Sequence, residues 1–153
     1  MLRTDELLAV AAVAAIHSGD VELLQQLLQK HPGLATARLG DPDKGNGMSR
    51  TLLHVATDWP GHFPNRAKTV AALIAAGADV NAQFTGPHAE TPLHWAASSD
   101  DVTVLDALLA AGADINWIGY DRLTPLDAAR RSGAAALVQW LAGCGATSAK
   151  DIA

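Results

Sequence analysis

Thr91-Pro92-Leu93-His94-Trp95-Ala96-Ala97 returns 33 residues later as Thr124-Pro125-Leu126-Asp127-Ala128-Ala129-Arg130, and an altered copy stands earlier at Thr51-Leu52-Leu53-His54-Val55-Ala56. A second phrase runs beside it: Gly77-Ala78-Asp79-Val80-Asn81, then Gly112-Ala113-Asp114-Ile115-Asn116, then a bare Gly145-Ala146. A fixed period of this size describes stacked supersecondary units, each burying its apolar face against its neighbours. Such arrays bind along a surface, so function is sought where the repetition breaks.

The Thr-Pro-Leu-His tetrapeptide, the paired alanines, the Leu-Leu-x-x-Gly-Ala-Asp-x-Asn run and the spacing together resemble the ankyrin repeat family, from Asp5 to Thr147. The resemblance implies an all-α solenoid of about four helix-turn-helix units with hairpin-like finger loops, in one domain, with units near 5–34, 48–80, 88–115 and 121–147. It implies use in protein–protein interaction. A shared fold names a function less sharply than it names an architecture.

Composition is consistent with one domain. Hydrophobic residues make up 49% of the 153 but aromatics only 5%, so the apolar mass is Ala, Leu and Val, suited to slim helices packed closely. The net charge of −5, with 11 Lys+Arg and no basic run, argues against nucleic acid as a partner. The lone Cys144 forbids an intrachain disulfide and suggests a reducing, cytoplasmic setting. Its expected role is that of a small packed side chain. The apolar run Leu7–Ile16 is long enough for a secretion signal core, but Asp5 and Glu6 cancel Arg3 before it, so it reads as a helix. No stretch reaches the roughly 18 apolar residues of a membrane span. A monomer with no membrane association is expected.

The first unit is disguised. Asp5 is the expected cap of a helix running to Ser18, Gly19-Asp20 the turn, and Val21–Lys30 a second helix with a leucine stripe stopped by Pro32-Gly33. The later units place helices near 52–58 and 66–76, 92–99 and 102–111, and 125–132 and 134–142. Pro92 and Pro125 suit the first helical turn, where a missing N–H costs nothing. Gly77, Gly112 and Gly145 suit the left-handed position after a helix.

Spacing locates three insertions. Thr91 precedes Gly112 by 21 residues, as Thr124 precedes Gly145, whereas Thr51 precedes Gly77 by 26. Five extra residues therefore lie within Trp59–Asn65. Two more fall within Gln83–His88, and about eight around Asp41–Gly47. A helix of eight residues is roughly 12 Å long, so the Trp59 and His88 loops are expected to frame opposite ends of one groove.

In the family that these repeats resemble, the residue after Thr-Pro-Leu-His and those three or four further on face the concave groove. That maps Val55, Asp58, Trp59, Trp95, Ser98, Ser99, Ala128 and Arg131 onto it, with Phe84, His88, Glu90, Trp117, Tyr120 and Arg122 on the fingers. Aromatic and Arg side chains are the usual anchors of recognition. Trp59, Trp95, Trp117, Tyr120, Phe84, Arg122 and Arg131 are therefore the candidate partner-binding residues. The competing expectation is that Trp59 and Phe63 staple the inserted loop and Trp95 packs on a finger.

Six histidines invite a chemical reading. The resemblance gives His54 and His94, with Thr91 and Thr124, a structural role: the imidazole bonds to the Thr of its own turn and to the neighbouring backbone. Asp127 replaces it in the last unit. His31 stands at a helix end and His17 on the possible groove surface. His62 and His88 remain, each in an insertion, beside Asp58 and Glu90. The alternative function is a small-molecule enzyme or ligand-binding protein using the aromatic-walled groove near Trp59, His62 and Trp95, with His62 or His88 as general base. No His-x-x-x-His or Cys-x-x-Cys spacing supports a metal, and no glycine-rich phosphate loop implies a cofactor.

Overall fold

The computed structural model describes residues 1–152, apart from the side chain of Tyr120, so that candidate lies outside the described residues. Among them are eight α-helices: α1 (Leu7–Ser18), α2 (Val21–Lys30), α3 (Leu52–Thr57), α4 (Arg66–Ala75), α5 (Pro92–Ser98), α6 (Val102–Ala110), α7 (Pro125–Arg131) and α8 (Ala135–Gly143). None is long and apolar enough to cross a membrane.

The odd-numbered helices have only six or seven residues beyond α1, too few to persist alone. Their starts are reinforced. Thr51, Thr91 and Thr124 are N-caps in reciprocal capping boxes, and Pro92 and Pro125 open their helices. Packing does the rest. The odd helices pack against one another in chain order as an inner layer, and the even helices do the same outside them. Alanines 9, 12, 96, 97 and 129 are wholly or almost wholly buried between leucines 24, 53, 73, 93, 105 and 137, and their small size lets the helices approach closely. Trp140 on α8 is half-buried against the end of this core.

Two details at the start differ from expectation. Asp5 does not cap α1; Glu6 holds that position, while Asp5 pairs with Arg3 at 3.2 Å. The stack also carries a small three-stranded sheet. β1 (Leu2–Arg3) runs parallel to β2 (Leu39–Gly40), which pairs antiparallel with β3 (Ser49–Arg50). A bridge from Ser49 to Thr85, with both N–H···O distances at 2.9 Å, joins this first finger to the second. The inserted Asp41–Gly47 segment is thus the tip of a finger whose base is backbone-paired on both sides.

The Gly-Ala-Asp-x-Asn phrase acts between units. Asn81 Oδ1 accepts the Asp114 N–H at 2.8 Å, and Asn116 Oδ1 accepts the Thr147 N–H at 3.0 Å. Gly77, Gly112 and Gly145 have φ of 100°, 94° and 85°. Cys144 is exposed rather than packed, at the C-cap of α8.

Candidate functional site

The inner helices and fingers make one long face. Three adjoining depressions among the described residues lie along it. The first, of about 360 Å³, lies beside Val10, Ala14 and His17 of α1 and reaches Thr4, Leu39 and Arg50. The second, of about 330 Å³, shares those last three residues and extends past the first finger to Phe84 and Trp95. The third, of about 230 Å³, begins at Trp95 and is lined by Asp58, Trp59 and Glu90. Trp95 is therefore the wall common to two of them. A larger hollow of about 560 Å³ lies between α2 and α4, on the outer layer, lined mainly by Ala and Gln.

Trp95 is half-buried because it meets the histidine frame. Its ring lies 4.9 Å from His54 edge-to-face and 5.7 Å from Phe84. His54 in turn is fixed at both nitrogens. Its Nδ1 sits 2.9 Å from Thr51 Oγ1 and accepts the Thr51 N–H at 3.3 Å, while Nε2 reaches the Glu90 carbonyl at 3.0 Å. A carbonyl accepts only, so Nε2 carries the proton and Nδ1 is the acceptor. His94 repeats the pattern one unit on, from Thr91 to the Leu123 carbonyl at 2.9 Å. Burial pushes the His54 pKa down to about 4 and lowers that of His94. In the last unit Asp127 accepts from Thr124 N and Oγ1, from Ala149 N at 2.8 Å and from Ser148 Oγ at 2.6 Å. Burial alone would raise its pKa, but these donors leave it lowered.

The inserted loop is held by a different device. Asp101, 1% exposed, caps α6 through Val104 N and receives Arg66 Nε at 2.8 Å and the His62 N–H at 3.0 Å. The His62 imidazole donates from Nε2 to the Ser99 carbonyl at 2.9 Å. Gly61 (φ 69°) packs where a Cβ would come within 2.9 Å of Ser99 Cβ. At the other end Asn65 Nδ2 donates to the Gly19 carbonyl at 2.9 Å. The loop is thus pinned to both neighbouring units, and this leaves Trp59, 78% exposed, projecting beside the third depression.

The candidate residues separate accordingly. Trp59, Trp95, Asp58 and Glu90 come together, and Phe84 adjoins them through Trp95. Asp58 is paired with Arg50 at 2.6 Å. His62 turns to the Ser99 carbonyl and lines none of the three depressions, because its ring serves the loop anchor. His88 acts on Glu90 electrostatically and likewise lines none of them. Trp117 spends its indole N–H on the Ala89 carbonyl at 3.1 Å, joining two fingers. Arg131 pairs with Asp121 at 2.9 Å, and Arg122 is an exposed finger residue with φ 61°. Val55, expected on the groove, is fully buried, since an apolar side chain gains by leaving water. Ser98, Ser99 and Ala128 do line the third depression, Ser99 buried there with its hydroxyl donating to the Trp95 carbonyl at 3.0 Å. His17 is exposed in the first depression with its ring 4.7 Å from Phe63. Among the described residues no group of three or more His, Cys, Asp or Glu has metal-binding geometry.

The sequence readings missed Asp101 and the Arg50–Asp58 pair. Asp101 stands at the end of Ser98-Ser99-Asp100-Asp101, where a local reading finds only a helix cap.

Comparison with known proteins agrees with this architecture. The family model described as ankyrin repeats (3 copies) matches residues 65–151. Palmitoyltransferase AKR1 of Kluyveromyces lactis is 51% identical over 104 residues, covering 67% of this chain and 12% of that protein. The nuclear factor NF-kappa-B p105 subunit of Gallus gallus is 34% identical over 133 residues, covering 86% of this chain and 12% of that protein. The RelA-associated inhibitor of Mus musculus is 35% identical over 106 residues, covering 69% and 11%. The chain spans about a tenth of the length of these curated relatives. Residues before 65 lie outside the family match, yet α1, α2 and α3 continue the same two layers.

Proposed function

The chain belongs to the ankyrin repeat family, and from that premise we propose that it is a protein-recognition module whose partner lies along the face of inner helices and fingers. The observation that carries this reading is continuity. The three depressions share walls at Thr4, Leu39 and Arg50 and at Trp95, so one extended segment meets α1, the first two fingers and the Trp59 loop in turn. Trp59 and Trp95 are the anchors of that contact, with Phe84 behind Trp95 and Arg122 and Arg131 at its far edge. Large aromatic side chains beside desolvated walls dominate recognition energies. One of the relatives is named for an association, the RelA-associated inhibitor, which supports a binding role here without naming a partner. The unpaired thiol of Cys144 suits a reducing compartment such as the cytoplasm.

The test is a titration of a protein captured by the wild-type chain against Trp59→Ala and Trp95→Ala. Each variant should weaken binding by at least roughly tenfold with the helical circular dichroism preserved. Unchanged affinity in both variants removes the groove from the reading.

A further inference from the structure

We propose that the depression between Trp59 and Trp95 is a pocket for a cationic side chain, an arginine or lysine presented by the docked partner. The proposal deepens the groove reading and rests on it. The depression holds two carboxylates, Asp58 and Glu90, between two indoles, and among the described residues no Lys or Arg stands in its lining. Arg50 already answers Asp58 at 2.6 Å. Glu90 is not answered in the same way: its Oε2 is out of water with no hydrogen-bond partner. Burial raises the Glu90 pKa, opposed first by a hydrogen bond from its own backbone N–H and then by His88 from a distance. His94, also in the lining, has both ring nitrogens engaged, Nδ1 at Thr91 and Nε2 on the Leu123 carbonyl, and burial lowers its pKa.

The identity of the occupant follows from what each class of side chain would do there. An acidic group would face two carboxylates. An apolar group would complete the desolvation of Glu90 while supplying no donor, which makes a buried polar oxygen more costly. A lysine or arginine lays its alkyl stem on apolar wall and carries its charge to the tip. There it meets, as a donor, the part of the Glu90 side chain that lines the depression, and the indoles as a cation over aromatic faces. Trp59 stands exposed beside the depression, whereas Trp95 packs against His54 and Phe84.

The full chain is titrated with N-acetyl-arginine amide, N-acetyl-lysine amide and the neutral N-acetyl-citrulline amide, following the indole N–H signals by NMR. The cationic probes should give saturable shifts at Trp59 and Trp95 and none at Trp140, with citrulline weaker by roughly tenfold or more. Glu90→Gln should weaken the arginine probe by roughly tenfold while leaving thermal unfolding intact. Equal binding of citrulline, an unaltered Glu90→Gln variant, or no saturable shift with either cation overturns the pocket. A partner whose binding responds to Trp59→Ala but not to Glu90→Gln would leave the groove standing and remove only the cation. A partner indifferent to Trp59→Ala and Trp95→Ala would remove the groove itself.

Discussion

The backbone N–H of His62 donates to the buried carboxylate of Asp101 at 3.0 Å, joining positions 39 residues apart. The same carboxylate caps α6 and pairs with Arg66 at 2.8 Å. Asp101→Ala therefore strands a helix N-terminus, a guanidinium and a loop amide together. Removing one partner of a buried pair is costly, and a loss of roughly 3 kcal/mol is expected in urea unfolding. Asp101→Asn keeps an acceptor and should lose less. A loss below about 1 kcal/mol for the alanine variant, the scale of a cap alone, would mean that the loop is not held from this point.

Stability should depend on His54 in acid. Its folded pKa, about 4, lies below the ordinary 6.5, so the unfolded chain binds the proton more readily. The contribution is fully present above pH 6.5 and is lost as pH falls towards 4, on the order of 3 kcal/mol in all. His94, shifted the same way, adds to it. The cause is geometric as well as dielectric, since a proton on Nδ1 would point at the Thr51 N–H. Unfolding at pH 7 and pH 5 measures the slope. A His54 resonance titrating near pH 6.5 in the folded chain would contradict it.

Two glycines separate strain from space. Gly112 has φ 94° and open room for a Cβ, so Gly112→Ala should cost roughly 1 kcal/mol from backbone conformation alone. Gly19 has φ 74°, and a Cβ there would clash with the Pro64 carbonyl oxygen. Gly19→Ala should be distinctly worse, because the inserted loop must move. Equal melting temperatures for the two variants would show that the loop yields without cost.

Asp127→Ala removes the acceptor for Ser148 Oγ and Ala149 N. The expected consequence is faster amide exchange at Ala149 and quicker proteolysis across 147–151, with α1 to α4 unaffected. Asp127→Asn, which retains an oxygen acceptor, should be intermediate. Unchanged exchange at Ala149 would mean that another contact holds the segment.

The helices could be read from the chain within a residue or two because their signals are local. A threonine cap, a proline in the first turn and a glycine after the last each act within four residues of where they stand. The sheet and the bridge were not legible. Leu2 pairs with Leu39 and Ser49 with Thr85 through backbone groups that leave no pattern in side chains. The site divides in the same way. Trp59 and Trp95 follow from repeat position, whereas the anchoring of His62 depends on Ser99 and Asp101 in the next unit. The His62 imidazole looks chemical until the Ser99 carbonyl is seen.

The four tryptophans also make the molecule a set of optical reporters. Trp59 stands nearly in water, Trp95 against an imidazole, Trp117 with its N–H committed, and Trp140 on the last helix. Their emission should therefore differ in wavelength and in quenching by acrylamide, and each would register melting at a different point along the stack. The α1–α2 pair contains no indole, so fluorescence alone is blind to fraying there, and an apparent single transition would need circular dichroism to be called complete.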